Sequence, residues 1–264
     1  MVRVAVVGHV EWVDFIELKR LPQEGEIVHA AGACTRAAGG GGVASVVLAE
    51  LGAEVDFFCA LGDDFDGHAA ADQLAARGVG VHAAWRSEPT RRAVTLLERG
   101  ERTIVTIGER LEPVGADALD WDRLGGADGA YFTAGDADAL ACARTARVVV
   151  ASPRGRHALI GGPDIDALVY SGLDGDESEW AHRLAAHARL LVETRGGEGG
   201  TWTGQAAGAW PAVQPPGPVR DAYGCGDSFA AGFTFGLAEG RSVAQAAALG
   251  AELGARCLTR VGAP

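Results

Sequence analysis

The alternation of short apolar runs with longer helical stretches predicts an α/β fold, a mostly parallel sheet covered by helices on both faces. Two further observations support it. Hydrophobic residues make up 48% of the 264 positions, enough for a sizeable core in one domain, with or without a small appendage. Glycines also stand where a helix should stop, at Gly78, and where a hairpin should turn, at Gly100.

Residues 2–7 are a short β-rich run ending at Gly8. They read as a buried first strand and not as a signal peptide, because Arg3 breaks the run and Glu11 and Asp14 follow closely. Residues 42–51 are apolar and helical in character, and residues 55–60 read as the next strand. Residues 68–77 form a helix closed by Gly78. Residues 92–98 and 102–107 are β-prone and joined around Gly100. Later strands are expected at 130–133, 147–151, 167–170 and 190–193, with helices between. Residues 11–35 and 87–107 differ, holding strand-like pieces without long helices. Periodicity does not say whether these are edge strands of the main sheet or a separate layer. Four prolines within residues 211–218 make a stiff connector, not a domain boundary.

The net charge of −12 argues against nucleic acid or an anionic membrane surface as partner. No apolar run approaches the roughly 20 residues of a membrane helix. Cys34, Cys59, Cys142, Cys225 and Cys257 are odd in number and form no C-x-x-C pair, which favours reduced thiols and a cytoplasmic protein.

The most informative stretch is Asp221-Ala222-Tyr223-Gly224-Cys225-Gly226-Asp227-Ser228, which opens an alanine- and glycine-rich helical segment. Exposed amides and the positive end of a helix dipole can hold a phosphate. A carboxylate beside them can accept a proton from an attacking hydroxyl. The competing reading is that Asp227 or Ser228 merely caps the helix.

This stretch resembles the D-T-x-G-A-G-D signature of the ribokinase (PfkB-type) carbohydrate kinase family, with Ala222 for Thr and Cys225 for Ala. Other family stretches follow in order. Leu21-Pro22-Gln23-Glu24-Gly25-Glu26 is similar to P-x-x-G-E, and Gly39 to Gly42 leading to Leu51-Gly52-Ala53 resembles the sugar-side glycine signature. Leu61-Gly62-Asp63-Asp64 with Gly67, then Arg77-Gly78-Val79, resembles v-G-d-D-x-x-G…G-V, and Thr259 to Ala263 also looks familial. The resemblance implies a single ribokinase-like domain over residues 1–264, a three-layer sandwich with a small β lid formed within 11–35 and 87–107. It implies transfer of phosphate from ATP, with Mg²⁺ and a monovalent cation as cofactors, to a hydroxyl of a sugar or sugar-like molecule. It also implies a homodimer through the lid.

Carried over residue by residue, the resemblance makes Asp227 the general base and Gly224, Cys225 and Gly226 the amides that hold developing charge. Arg195, Gly197 and Gly199 fall on the nucleotide side. Asp221 has two readings, an ion site near the phosphates or a turn-stabilising carboxylate. Asp174 falls where the family has a Glu linked to Mg²⁺ through water, with Ser171 in place of its Asn. On the sugar side, Gly39, Gly40 and Gly41 allow close approach of substrate, with plain helix initiation as the competing reading. The family Asp and Asn that grip sugar hydroxyls are replaced by Val13 and Val43. Glu11 shares a face with Val13 if the segment is extended, and a one-residue bulge would bring in Asp14 instead. Trp12 keeps a nucleoside acceptor in view. A ligand-binding protein of kinase ancestry with little turnover is the alternative from another class.

Overall fold

The computed structural model describes residues 1–262. Along the chain come β1 (Arg3–Val7), β2 (Glu11–Glu17), β3 (Gly32–Ala38), α1 (Gly39–Glu50), β4 (Glu54–Gly62), α2 (Phe65–Ala76), β5 (Val79–Arg86), β6 (Arg92–Glu98) and β7 (Glu101–Ile107). The second half holds β8 (Gly129–Phe132), α3 (Ala137–Ala143), β9 (Val149–Ala151), α4 (Arg156–Leu159), β10 (Ile165–Ser171) and α5 (Gly175–Arg183). It ends with β11 (Ala188–Thr194), β12 (Gly200–Gly204), β13 (Gly208–Trp210), α6 (Cys225–Ala238) and α7 (Val243–Cys257).

Nine strands form the main sheet, in the order β13-β12-β11-β10-β9-β8-β1-β4-β5. All pairs from β10 and β11 across to β5 are parallel, whereas β12 and β13 run antiparallel at one edge. Strand β1 lies inside the sheet, third from the β5 edge, and its residues alternate between two cores. Val4 and Val6 belong to the cluster that includes residues of α1, α2, α6 and α7, whereas Ala5 and Val7 pack with α3, α4 and residues of α5. A strand buried on both faces reads as a continuous apolar run, which is why residues 2–7 carry no polar alternation.

The pieces at 11–35 and 87–107 leave this sheet. Strands β3-β2-β6-β7 form a second, four-stranded sheet, parallel between β2 and β6 and antiparallel in the outer pairs. The hairpin between β6 and β7 turns through Arg99 and Gly100, both at positive φ (53° and 88°). Helix α1 starts at Gly39, three residues before the expected 42, because the lid strand β3 runs straight into it at Gly39, where φ is +79°. Helix α2 likewise starts early, its N-terminus capped by Asp64, which accepts from the Gly67 amide. Strand β5 has no counterpart among the expected elements. No helix among the described residues is long and apolar enough to cross a membrane.

Candidate active site at the carboxyl ends of the strands

Helix α6 begins where the sequence motif places it, but its cap is neither Asp227 nor Ser228. Gly224 is the N-cap, in the left-handed region at φ 74°, and no side chain caps the helix. Asp227 sits in the first turn and is 8% exposed. The amides of Gly226 and Asp227 donate to no backbone carbonyl among the described residues, as expected of a helix start, so they remain available to an anion. The Cys225 thiol faces Cys257, and that contact together with burial pushes it up, while its amide donates to the Ala222 carbonyl at 3.5 Å and so is not the open amide expected of it. A Cβ on Gly226 would meet nothing within 4 Å, whereas one on Gly224 would press on Val43 at 3.0 Å.

The Asp227 carboxylate looks across at Gly40. A Cβ there would lie 3.1 Å from Asp227 Oδ1, from Arg154 Nη1 and from Thr133 Oγ1, so glycine keeps this space clear. Of its neighbours, Gly39 supplies the turn between β3 and α1. Gly41 is turned into the core, where a Cβ would meet the Phe57 ring and the His9 carbonyl at under 3 Å. Gly40 faces Asp227, and Gly39 faces His9 and Glu11, where a Cβ would lie 3.1 to 3.4 Å from their side chains. Its amide donates to His9 Nε2 at 3.3 Å, and the Gly39 amide donates to the Tyr223 hydroxyl at 3.1 Å. Tyr223 also packs edge-on against Phe15 of β2, with centroids 4.9 Å apart. It ties the lid, α1 and the α6 loop together.

Strand β2 contains no bulge: its register runs unbroken from Glu11 opposite Ala38 to Glu17 opposite Gly32. Alternation therefore holds, and Glu11 and Asp14 lie on opposite faces. Glu11 is buried beside His9 and Arg91, at 3.8 and 3.3 Å. Asp14 accepts from Thr35 Oγ1 and pairs with Arg92, which removes it from the acceptor side. Val13 and Val43 are both core residues, and Trp12 packs against the core on the face away from Glu11. Burial pushes the Glu11 carboxyl up against the pull of Arg91, Arg110 and Arg154. Burial, then Arg110, Arg154 and Arg91, hold the His9 imidazole well below its usual 6.5. His9 is thus neutral, and since Nε2 accepts from Gly40, Nδ1 carries the hydrogen and has no partner among the described residues.

Arg154 is the residue that the sequence reading missed. It lies in the short turn after β9, and its Nη1 donates to both oxygens of Asp227, at 3.0 and 3.2 Å. Its Nε stands 3.4 Å from Glu177, whose other oxygen accepts from the Ser171 amide. Asp227 chiefly raises Arg154, which keeps the guanidinium charged. A lone arginine in a loop carries no spacing signal. Only the strand order, which sets β9 two places from β1, brings it to the motif.

On the other side of the α6 N-terminus lies a largely apolar cavity of about 370 Å³, lined by Phe229, Trp210, Pro215, Gly197, Gly226 and Ala255 among others. Gly197 and Gly199 both line it. Gly199 is also needed for its turn, because its φ is +85° and a Cβ would strike the Trp210 carbonyl. Arg195 points away into a pair with Glu193 at 2.9 Å and does not line the cavity. Asp174 does not fit a metal role: its Oδ1 accepts from the amides of Asp176 and Glu177 and caps α5. Glu177 is the carboxylate that turns towards the site instead. Asp221 is buried, with its oxygens accepting from the amides of Tyr223 and Gly262, which makes it the joint between the motif loop and the C-terminal segment.

The sequence profile of the pfkB family of carbohydrate kinases matches residues 1–149 and 165–264. The chain is 32% identical over 255 residues to an ATP-dependent ribose-1-phosphate kinase from Halopiger xanaduensis, covering 88% of this chain and 84% of that one. In three dimensions it is similar to Arabidopsis thaliana ribokinase complexed with ribose and ATP, with a TM-score of 0.79 at 22% identity over 100% of this chain and 95% of that one. It is similar to adenosine kinase from Sinorhizobium meliloti, with a TM-score of 0.77 at 19% identity over 99% and 95% of the two chains.

Proposed function

The chain belongs to the pfkB family of carbohydrate kinases, and we propose that it transfers the γ-phosphoryl group of ATP to a hydroxyl of a sugar-like acceptor bound between Gly40 and Glu11, with Asp227 as the base. One observation carries this reading. A buried carboxylate and the open amides of one helix start stand between an apolar cavity on one side and, on the other, the polar side chains of His9, Glu11 and Arg154 around Gly40. Adenine suits the cavity, whose Phe229 and Trp210 rings offer stacking faces. The phosphates suit the α6 amides.

In the transfer, the acceptor oxygen attacks phosphorus, its proton passes to Asp227, and the bond to the β-phosphate oxygen breaks to release ADP. Positioning and charge neutralisation dominate such a step. Arg154, already on Asp227, is placed to meet the transferring group. No group of three His, Cys, Asp or Glu among the described residues could hold a metal unaided. An Mg²⁺ would be carried mainly by the nucleotide phosphates, with Glu177 as the protein carboxylate that would help hold it, and would supply electrophilic help. The second sheet serves as the lid over the acceptor.

The test is release of ADP from MgATP across sugars, sugar phosphates and nucleosides. Release that depends on an added acceptor supports the reading. Binding of acceptors without turnover for any of them would favour a binding protein of kinase ancestry.

A further inference from the structure

We infer that the acceptor arrives already carrying a phosphate, as a sugar monophosphate, and that Arg91 and Arg110 hold this group while Arg154 attends the reacting hydroxyl. The inference rests on the kinase reading and names its substrate class. The product is then a sugar bisphosphate, formed with ADP.

Three guanidinium groups come to the neighbourhood of Glu11 and Gly40 from three separate segments. Arg91 precedes β6, Arg110 follows β7, and Arg154 follows β9. The first two belong to the lid side and the third to the main sheet. Arg91 Nε lies 3.3 Å from Glu11, Arg110 donates to the Arg154 carbonyl, and Arg154 Nη1 stands beside Gly40, whose amide donates to His9, so the three meet around one spot. The carboxylates facing them are Glu11 on Arg91, Glu112 on Arg110, and Asp227 and Glu177 on Arg154.

Their donors are mostly unspent. A guanidinium offers five N–H groups in a fixed fork. Among the described residues the Arg91 guanidinium makes no hydrogen bond, its buried Nε lying 3.3 Å from Glu11. Arg110 is engaged through Nη2 alone, with Glu112 and the Arg154 carbonyl. Arg154 donates only through Nη1.

A neutral hydroxyl is gripped well by a carboxylate and backbone amides, and makes no use of guanidinium donors that remain unspent after their carboxylates are paired. A phosphate ester, with its acceptor oxygens and negative charge, matches two guanidinium forks. The apolar Val13 and Val43, where the family has sugar-gripping side chains, fit a site whose affinity comes from the phosphate end.

The test separates this inference from the kinase reading. Protein saturated with Mg²⁺ and a non-hydrolysable ATP analogue is titrated calorimetrically with inorganic phosphate, ribose 1-phosphate and ribose. Both anions should bind at least about tenfold more tightly than ribose, the effect of a single charged hydrogen bond. Arg91→Gln and Arg110→Gln should each weaken both anions by about tenfold or more, and Arg91→Lys should recover part of the loss. Circular dichroism and the affinity for the nucleotide analogue confirm that the variants are folded. Equal affinity for ribose and its 1-phosphate, or anion binding that survives both substitutions, overturns the inference. Turnover of neutral sugars in preference to their phosphates also overturns it while leaving the kinase reading intact. Preference for anions without ADP release from any acceptor supports it and removes the kinase reading.

Discussion

Glu11 and Asp14 stand three residues apart on one strand and meet different surroundings, because an unbroken register sends them to opposite faces. Glu11 is buried against His9 and Arg91, and Asp14 is bound to Thr35 and Arg92. Glu11→Ala should therefore raise the acceptor's KM strongly, at a cost of roughly 2–4 kcal/mol for hydroxyls or charges left unpaired. Asp14→Ala should change it by less than about threefold, since an exposed ion pair contributes well under 1 kcal/mol. Steady-state kinetics on both variants decide this, and a stronger effect for Asp14 would contradict the placement. The candidate base and Glu11 were legible in the sequence, one from its glycines and one from strand alternation. Arg91, Arg110 and Arg154 were not, because nothing in their local spacing marks residues that only the tertiary fold brings together.

His9 gives the residue scale a pH signature. Its folded form resists protonation, whereas in the unfolded chain it takes up a proton as pH falls through about 6.5. Falling pH thus favours the unfolded state, and stability is lost below that value with a slope of at most about 1.4 kcal/mol per pH unit. Above it neither state binds the proton and the effect vanishes. Burial raises the Glu11 carboxyl and so works in the opposite sense, which is why the comparison must isolate His9. Between pH 7.5 and 5.5 the wild type should lose about 1 kcal/mol more than His9→Gln in urea melts. Equal losses would show that His9 titrates normally in the folded protein.

At the scale of the element, the start of α6 separates a glycine needed for folding from one needed for a ligand. Gly226 has ordinary helical geometry and open space where a Cβ would stand. Gly226→Ala should therefore leave stability unchanged or raise it by about 0.5–1 kcal/mol. If phosphate packs against this backbone, turnover should nevertheless fall by about 10² to 10³. Gly224→Ala is different, because φ is 74° and Val43 lies 3.0 Å from the new atom. It should lower the melting temperature, with a strain cost of about 1–3 kcal/mol. Melting and activity are read on the same preparations, and full activity in Gly226→Ala would remove the anion-holding role. The glycine pattern announced this element, but it did not show which glycine caps the helix, since both fit a tight start. Periodicity alone did not assign the segments at 11–35 and 87–107 to their own sheet, because a half-buried strand reads alike in either sheet; the family resemblance did.

At the scale of the molecule, the mostly parallel sheet was legible because its inner strands are buried on both faces, although β5 was missed. The antiparallel edge strands β12 and β13 were not, being short and glycine-rich. The lid leaves one strand uncovered. Every residue of β7 is exposed, and Val105 and Ile107 present apolar side chains at 53% exposure each. A free edge of this kind invites pairing, here with the same edge of a second copy. Sedimentation should find the wild type as a dimer at micromolar concentration and Val105→Lys with Ile107→Lys as a monomer. A monomeric wild type, or a dimeric variant, would contradict pairing through the lid.

All these scales converge on one carboxylate between two ligand sites. Asp227→Asn keeps the shape of the side chain and removes its capacity to take a proton. The decisive measurement is kcat for this variant together with its affinity for MgATP. Loss of turnover by about 10² or more with nucleotide affinity within about threefold is the expected result. Turnover within a few-fold of the wild type would show that another group takes the proton and would contradict the role of Asp227.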